Sequence, residues 1–453
     1  MKQYALFAAS AIVALAACSK TEVKPQTPEP PVDENSPVAV QFGVSSADAT
    51  ISTKAVGPVD DSWNGKQTLY VYSFAKAAEA LDYTTAVPFI DNISASSPAS
   101  GASGKIDVLN PNPDGEGTPG QTPEPFYYNN DLIYDFYGYH MDDAWADGTA
   151  VDDYTSFTVN ADNPVPVKKE AGRIYIPFLI NGSQDLMVAK ADAQTDFAKA
   201  TDETFKGNAT NVQYVYSAYA ARRGVQPTLT FQHVLARFNF SVLTGGSDAD
   251  ELMVESVAIE SRYKGNLVVV ANMTGTEPDL TDPRGLGELS EDVTDLFLQE
   301  YSASGDLQAF TPYQIPEYDA ETATNNVAQP IGNGSSILAV PEVESYKLTV
   351  KLKYNETAAA THTTPVEPIV MSLDATALKN GSDPANATEF EAGKEYNVTI
   401  KVIGPKEVQI TADLKPWEDG GSTVIDPDVP PTVPGADDEE QGGGTEPEPE
   451  PGA

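Results

Sequence analysis

The chain has 453 residues, of which 40% are hydrophobic, and its formal net charge is −40 at pH 7. So acidic a chain is poorly suited to nucleic acid, because binding to phosphates depends on patches of Lys and Arg. Its single cysteine excludes a disulfide framework and a cysteine-ligated metal site. The sequence also lacks the HExxH, GxSxG, GxGxxG and Walker motifs. It therefore gives no sign of an enzyme, a metal site or a cofactor.

The N-terminus has the pattern of a bacterial lipoprotein signal peptide. Lys2 precedes an apolar run at 5–17, which is shorter than the roughly 20 residues that a membrane-spanning helix needs. The run ends in small residues directly before Cys18, the pattern at which a signal peptidase cuts and the thiol receives a diacylglyceryl group. We therefore expect Cys18 to be lipidated (palmitate) and to attach the precursor to the cell outer membrane. The Pro-rich and charged residues 19–37 are expected to form a tether.

Segments rich in β-branched and aromatic residues recur between Gly-, Pro-, Asp- and Asn-rich breaks, which predicts β-strands. The expected strands are 68–74, 132–139, 173–179, 228–242, 254–259, 266–271, 336–340, 346–354 and 395–403. Alternation in the last two strands predicts these inward side chains: Leu348, Val350, Leu352, Tyr396, Val398, Ile400 and Val402.

The segment 228–242 is expected to be one long strand. Its alternation places Leu229, Phe231 and His233 on one face, and apolar side chains also occur on the other face. A strand with no wholly polar face is typically covered on both sides. His233 is therefore expected to be a buried structural histidine rather than a catalytic one.

Helical periodicity is scarce, and only Ser73–Leu81 and Ser290–Glu300 could each hold a short helix. The spacing of the strands predicts a mainly β fold of two β-sandwich domains in series, with few short helices. We place the domains at 38–225 and 226–425. The Pro- and Gly-rich stretches 91–125 and 276–330 are expected to form long surface loops.

The acidic residues are expected to lie mainly in solvated segments. Asp142-Asp143 and Asp152-Asp153 occur in turn-like sequence, and no DxDxDG loop indicates calcium binding. Residues 426–453 contain acids, Pro and Gly but no basic residue, so we expect a disordered tail extended by self-repulsion.

Several segments, in their order along the chain, resemble the fimbrillin family, the type V pilins of Gram-negative anaerobes. The most specific is LTFQHVLARFNFSV at 229–242, because its Phe-x-His-x-Leu-Ala order is intact. The other similar segments are QFGVSSADATISTKA at 41–55, YDFYGYH at 134–140, NGSQDLMVAKAD at 181–192, SSILAVPE at 335–342, YKLTVKLKY at 346–354, EFEAGKEYNVTIKV at 389–402 and VQITADLKPWEDGG at 408–421.

The resemblance implies two transthyretin-like β-sandwich domains in tandem and a subunit of a surface fimbria that supports adhesion. It also implies assembly by strand exchange, in which a surface protease removes the N-terminal strand and a C-terminal strand of a neighbouring copy or related pilin fills the groove. Unpaired strand edges favour such an addition.

On this chain, the resemblance implies that residues 38–54 are removable. The displaced strand would carry Val38, Val40 and Phe42 on one face, with Val44 expected off that face. The cut would fall after Lys54, before Ala55. No Arg precedes Arg173, so the protease would have to accept Lys. The donor strand would begin at Val408 and present Val408, Ile410, Ala412 and Leu414, followed by Trp417.

Two other functions remain open from the sequence. A tip or accessory adhesin could stack sugars on exposed aromatic side chains, for which Trp63, Tyr127, Tyr128 and Trp145 are the candidates. A surface glycan-binding lipoprotein or a hydrolase that does not polymerise is the third reading, with host or bacterial glycans or proteins as partners. A hydrolase would need a carboxylate pair in one cleft, of which the sequence gives no positive sign.

Overall fold

The computed structural model describes residues 36–46, 63–76, 81–115, 120–148, 150–191, 215–274, 281–302, 306–321, 326–377, 379–380 and 388–416. Cys18, Lys54, Ala55 and Trp417 lie outside the described residues, as do residues 19–35 of the tether and the acidic tail. The described residues from Pro37 onward belong to one compact unit. None of the helices among them is long and apolar enough to cross a membrane.

Most of the described chain forms β-strands, so the predicted mainly β fold is confirmed. The strands before residue 234 are β1 (Phe42–Ser46), β2 (Thr68–Lys76), β3 (Pro88–Ser96), β4 (Ser103–Ile106), β5 (Leu109–Asn110), β6 (Glu124–Pro125), β7 (Ile133–Met141), β8 (Ala146–Asp147), β9 (Thr155–Ser156), β10 (Lys168–Glu170), β11 (Arg173–Leu179), β12 (Leu186–Ala191), β13 (Tyr216–Ser217) and β14 (Thr228–His233).

The second half of the chain continues the pattern. Its strands are β15 (Ala236–Thr244), β16 (Leu252–Arg262), β17 (Lys264–Val270), β18 (Gly285–Gly287), β19 (Val293–Phe297), β20 (Gln299–Tyr301), β21 (Leu307–Ala309), β22 (Tyr313–Gln314), β23 (Gln329–Pro330), β24 (Ile337–Ala339), β25 (Ser345–Tyr354), β26 (Ile369–Asp374), β27 (Lys379–Asn380), β28 (Lys394–Gly404) and β29 (Glu407–Pro416). The α-helices are α1 (Ala218–Ala221) and α2 (Glu356–Ala359), with 3-10 turns at Val151–Asp153, Ser247–Ala249 and Ala375–Ala377.

An eight-stranded sheet contains the first strand of the fold. Its order is β3-β2-β7-β12-β14-β1-β4, and β13 pairs with β7. The aromatic strands β2 and β7 pair with each other in this sheet, with Tyr72 opposite Tyr137 and Tyr70 opposite Tyr139. Aromatic side chains fit the pleated surface of a sheet, and aromatic pairs across neighbouring strands stabilise it.

Two further sheets are built from the strands after residue 234, and a third combines earlier and later strands. One has the order β23-β15-β28-β29-β27, with β24 on β15, and another has the order β19-β16-β25-β26, with β22 on β16. The four-stranded sheet β10-β11-β17-β18 takes two strands from each side of residue 225. The division into tandem domains at that residue stays a prediction. The remaining pairs are the ribbons β5-β6, β8-β9 and β20-β21.

Two large hydrophobic clusters contain most of the buried apolar side chains among the described residues. The smaller one lies on the face of the eight-stranded sheet that carries Val40, Phe42, Phe136 and Phe231. The larger one contains the inward side chains predicted for β25 and β28, which are all buried, as the alternation required. Its members come from both halves of the chain, from Tyr72 to Ala412.

Four expectations about local structure were wrong. Ser73 to Lys76 continues β2, and Val293–Phe297 is β19 rather than helix, because pairing with neighbouring strands overrides weak helical periodicity. The segment 228–242 is divided at Val234 and Leu235, so β14 and β15 enter different sheets. The expected loops contain strands, among them β4 and β5 before residue 125 and β18 to β22 after 276.

Candidate functional site

The first strand, β1, occupies a slot between two other strands. It runs parallel to β14, with Gly43 opposite Thr228 and Ser45 opposite Thr230, and antiparallel to β4. Among the described strands, β4 has β1 as its sheet partner. The removal of β1 would therefore open two neighbouring edges at once, which are the unpaired groups that accept an added strand.

The apolar side chains of β1 and of the residues just before it are almost inaccessible to solvent. The exposed fraction is 1% for Val40, 1% for Phe42 and 0% for Val44, and Val38 packs against the same cluster as a partly buried residue. The expectation that Val44 lies off this face was wrong, since alternate residues of a strand share a face. At about 1.5–3 kcal/mol each, the three fully buried side chains provide a gross gain of roughly 5–9 kcal/mol, before the cost of ordering the strand.

Aromatic side chains from β7 and β14 form the floor of the slot. Phe42 packs against Phe136, and Phe231 packs edge-on against Trp63 with ring centroids 5.4 Å apart. Gly138 makes room for this arrangement, because a Cβ atom built on it would lie 2.9 Å from Cζ of Phe231. The glycine in the aromatic segment of β7 is thus needed for the close approach of the β14 side chains.

Backbone hydrogen bonds fix the segment that leads into β1. The amide of Val40 donates to the carbonyl of Phe126 (2.8 Å), and the amide of Tyr128 donates to the carbonyl of Val38 (3.1 Å). On the other side, the side chain of Gln226 accepts from the amide of Gln41 (3.2 Å) and donates to the carbonyl of Ala39 (3.3 Å). The leading segment is therefore held on both edges before the strand begins.

A buried histidine fixes the end of β14. Nδ1 of His233 lies 3.0 Å from Oδ1 of Asp185, and both side chains are almost fully buried. The two residues come from the Phe-x-His-x-Leu-Ala and Asp-Leu-Met segments, which are far apart in sequence. The predicted burial of His233 is confirmed. This contact ties β14, one wall of the slot, to the start of β12.

A second buried histidine lies on the other side of β12. Nδ1 of His140 lies 2.9 Å from the carbonyl of Thr68 and Nε2 lies 3.0 Å from Oδ1 of Asp142. Burial disfavours the charged ring, but Asp142, the Thr68 carbonyl and Asp185 outweigh it and raise the pKa of His140 to about 9. The Thr68 carbonyl and the Asp142 carboxylate are both hydrogen-bond acceptors. A doubly protonated imidazolium can donate to both of them. Asp142 is thus a partner of this ring and not only a solvated turn residue.

The candidate donor strand β29 is paired within its own chain. It forms an antiparallel hairpin with β28, in which Val402 lies opposite Val408 and Ile400 opposite Ile410, and it pairs with β27 only at Asp413 and Leu414 among the described residues. Val408 and Ile410 are half-buried against the larger cluster and Ala412 is buried. The predicted alternation of apolar side chains is therefore present up to Ala412.

Most of the aromatic residues considered for sugar binding are buried and cannot stack on a sugar. Trp63, Tyr128 and Trp145 are buried, and burial raises the pKa of Tyr128 well above its ordinary value. Tyr127 is 47% exposed. The expectation of an exposed aromatic set was therefore wrong for three of the four residues, because they pack against Phe231, Phe136 and Tyr70.

Sequence reasoning missed two parts of the slot. Strand β4 lay within a stretch assigned to a loop, although the order Ile106-Asp107-Val108 alternates and both apolar residues are buried. Gln226 gave no signal, since a single glutamine between a valine and a proline has no distinctive pattern. Within the part of the chain that the structure describes, no cluster of His, Cys, Asp and Glu could hold a metal ion.

Comparison with known proteins gives the family. The family model described as fimbrillin-like matches residues 53–417. The chain belongs to the fimbrillin-like family. No curated protein matches this fimbrillin-like chain. Membership of the family supports a fimbrial or cell-adhesion subunit located at the cell surface, and the family is structural rather than enzymatic.

Solved structures similar to the fimbrillin-like chain share little sequence with it. A candidate cell adhesion protein from Bacteroides uniformis has 15% identity and a TM-score of 0.39, with 84% of this chain and 99% of that chain covered. One from Bacteroides ovatus has 13% identity and a TM-score of 0.42, with 84% and 98% covered. A fimbrilin from Porphyromonas gingivalis has 8% identity and a TM-score of 0.35, with 85% and 99% covered.

Proposed function

We propose that this fimbrillin-like chain is a structural subunit of a surface fimbria that is assembled by protease-triggered strand exchange and supports adhesion. The precursor is lipidated at Cys18 and held at the outer membrane. Cleavage after Lys54 makes Ala55 the new N-terminus and releases β1. The C-terminal strand of another copy, or of a related pilin, then occupies the β1 slot.

The observation that supports this proposal is the position of β1. It is short, buried and inserted between β14 and β4, yet only eight positions separate its last residue, Ser46, from Lys54. A single cut at Lys54 would therefore leave the strand attached by non-covalent contacts alone. Replacing it with a similar strand restores the same backbone pairs and the same apolar burial.

The contact between donor and slot joins different surfaces of two copies. A heterologous contact of this kind does not close on itself and extends into a fibre. Since both strands bury similar apolar side chains, the exchange is expected to gain little free energy per step. The fibre would then owe its persistence mainly to the slow release of an inserted strand.

The test is N-terminal sequencing of the protein on isolated surface material, together with electrophoresis in SDS without boiling. The proposal expects a start at Ala55 and a ladder of SDS-resistant oligomers. Lys54→Gln should abolish both, whereas Lys66→Gln, which changes an exposed lysine, should leave both unchanged. A lipidated Cys18 as the only N-terminus on the surface, with no ladder, would contradict the proposal and favour an anchored protein that does not polymerise.

A further inference from the structure

The side chain of Gln226 binds the leading segment through its backbone alone. Its Oε1 accepts from the amide of Gln41 at 3.2 Å and its Nε2 donates to the carbonyl of Ala39 at 3.3 Å. The two backbone groups flank Val40, whose side chain points into the smaller hydrophobic cluster. Gln226 itself is only 8% exposed. This pair of bonds is called the Gln226 clamp below.

The clamp has the geometry of a parallel strand neighbour. A residue in a parallel ladder bonds to the amide and the carbonyl on either side of the residue that it faces, whereas an antiparallel hydrogen-bonded pair exchanges both bonds with one residue. Gln226 makes the first pattern, in line with the parallel pairing of β1 and β14. Its side chain therefore distinguishes the direction of the strand that it binds.

Proline explains why a side chain performs this role. The carbonyl of Pro227 accepts from the amide of Gly43 at 3.0 Å, but proline has no amide with which to continue the ladder. One step further toward the N-terminus of β1, the Gln226 side chain supplies both a donor and an acceptor. The parallel ladder is thereby extended beyond the point at which the backbone of β14 ceases to form it.

We propose that Gln226 is a positioning residue for whichever strand occupies the β1 slot, and that it fixes the direction of this strand and which of its alternate residues face the smaller hydrophobic cluster. This inference rests on the proposed function. Because the clamp touches backbone groups only, it fits an incoming strand of different sequence as well as β1. A strand inserted in reverse or displaced by one residue would not present this N–H and C=O pair to Gln226, and the buried amide would lose its two partners, which is unfavourable.

The first test is amide hydrogen exchange in the full-length precursor. Gln226→Met removes both bonds and keeps the length of the side chain. Exchange at the Gln41 amide should rise on the order of tenfold, since two hydrogen bonds are lost. The Gly43 amide bonds to the Pro227 carbonyl and should change much less. A general loosening of β1 would raise both amides equally, and that result would overturn the proposal.

The second test measures which alternate residues of the inserted strand face Thr230 in polymers. Thr230 lies opposite Ser45 in the slot, so Thr230→Cys can be combined in turn with Gln409→Cys, Ile410→Cys, Thr411→Cys or Ala412→Cys in the donor strand. With Gln226 present, the disulfide between copies should be confined to one alternate set, either 409 and 411 or 410 and 412. With Gln226→Met, the disulfide should form in both sets and the yield of polymer should fall.

Gln67→Met is the matched control, because Gln67 is also buried and its Oε1 accepts from the Ser97 hydroxyl at 2.7 Å and from the Asn64 amide at 3.3 Å, neither of which belongs to β1. It should leave the disulfide confined to one alternate set. Confinement to one set in Gln226→Met polymers as well would overturn the proposal. If the unmodified chain forms no polymer at all, the proposed function fails. Amide hydrogen exchange at Gln41 then still tests whether Gln226 holds β1 in the precursor.

Discussion

Phe42 packs edge-on against Phe136, with ring centroids 5.3 Å apart and an interplanar angle of 83°. This contact joins the first strand of the fold to the centre of the eight-stranded sheet. Edge-to-face pairs are stabilising beyond the area that they bury. The strand proposed to be discarded on assembly is therefore an integral part of the precursor's core.

Phe42→Ala should destabilise the precursor by about 3–5 kcal/mol, because it removes a fully buried aromatic side chain and leaves a cavity. Urea unfolding of the full-length chain measures this change. Polymers already assembled should resist SDS as well as those without the substitution, since their slots no longer contain residue 42.

The exposed residue Phe297 provides the comparison for Phe42. It is 51% exposed on β19, so Phe297→Ala should change the free energy of unfolding by less than about 0.5 kcal/mol. Assembled polymers that lose SDS resistance in Phe42→Ala would show that β1 stays in place after maturation, contrary to the proposed exchange.

The sequence predicted the strands well where one face is buried. It predicted them poorly where pairing between distant segments determines whether a strand forms and where it ends. RIYIPFL at 173–179 coincides with β11, and the alternation of β25 and β28 gave the correct inward side chains. Strand β4 was missed because Ser103 and Gly104 have low strand propensity, and its pairing with β1 comes from the fold. The break at Val234 was missed because alternation continues in sequence while the chain passes between sheets.

The candidate site was predictable only in part, for similar reasons. The resemblance to the fimbrillin family identified β1, but its neighbours depend on contacts between residues far apart in sequence. Gln226 is 185 positions from Gln41, and no local pattern connects them. The partnership of Asp185 with His233 likewise follows from the pairing of β12 with β14.

His140 should make the stability of the fold depend on pH. Its pKa is raised to about 9 in the folded chain from 6.5, so its contribution is fully present below about pH 6.5 and is lost as the pH rises through about 9. The contribution is at most about 3 kcal/mol. Urea unfolding between pH 6 and 10 should show this fall in the unmodified chain and a smaller one in His140→Gln.

His362→Gln is the control for the pH series, because His362 is an exposed histidine that contacts Glu251. It should retain the pH dependence of the unmodified chain. If His140→Gln shows the same fall in stability with pH as the unmodified chain, the imidazolium between Asp142 and the Thr68 carbonyl does not carry the effect.

Gly138→Ala should destabilise the floor of the slot by about 1–3 kcal/mol, because the added Cβ would press on the ring of Phe231. A smaller side chain at position 231 should relieve the pressure. In a double-mutant cycle measured by urea unfolding, Gly138→Ala should therefore cost less in a Phe231→Leu background. Additive costs would show that the glycine is not required by this contact.

Ile410→Ser should prevent the chain from donating its C-terminal strand while leaving its slot able to accept one. Ile410 is on the face of β29 that packs against the larger cluster, and Gln409 is on the opposite, exposed face. Cleaved Ile410→Ser protein alone should give few SDS-resistant oligomers, because the inserted strand would bury a hydroxyl in place of an apolar side chain. Gln409→Ser should polymerise normally.

Mixing the subunits separates the role of β29 as a donor from its role in its own chain. Since β29 also forms a hairpin with β28, Ile410→Ser could reduce polymerisation simply by weakening the fold. A folded Ile410→Ser subunit still has an intact β1 slot, so unmodified protein should add its donor strand to it and give mixed oligomers in which each Ile410→Ser copy terminates a chain. Polymers of Ile410→Ser as long as those of the unmodified protein would exclude β29 as the donor strand, and failure of the mixed oligomers to form would show that the substitution damages the acceptor as well.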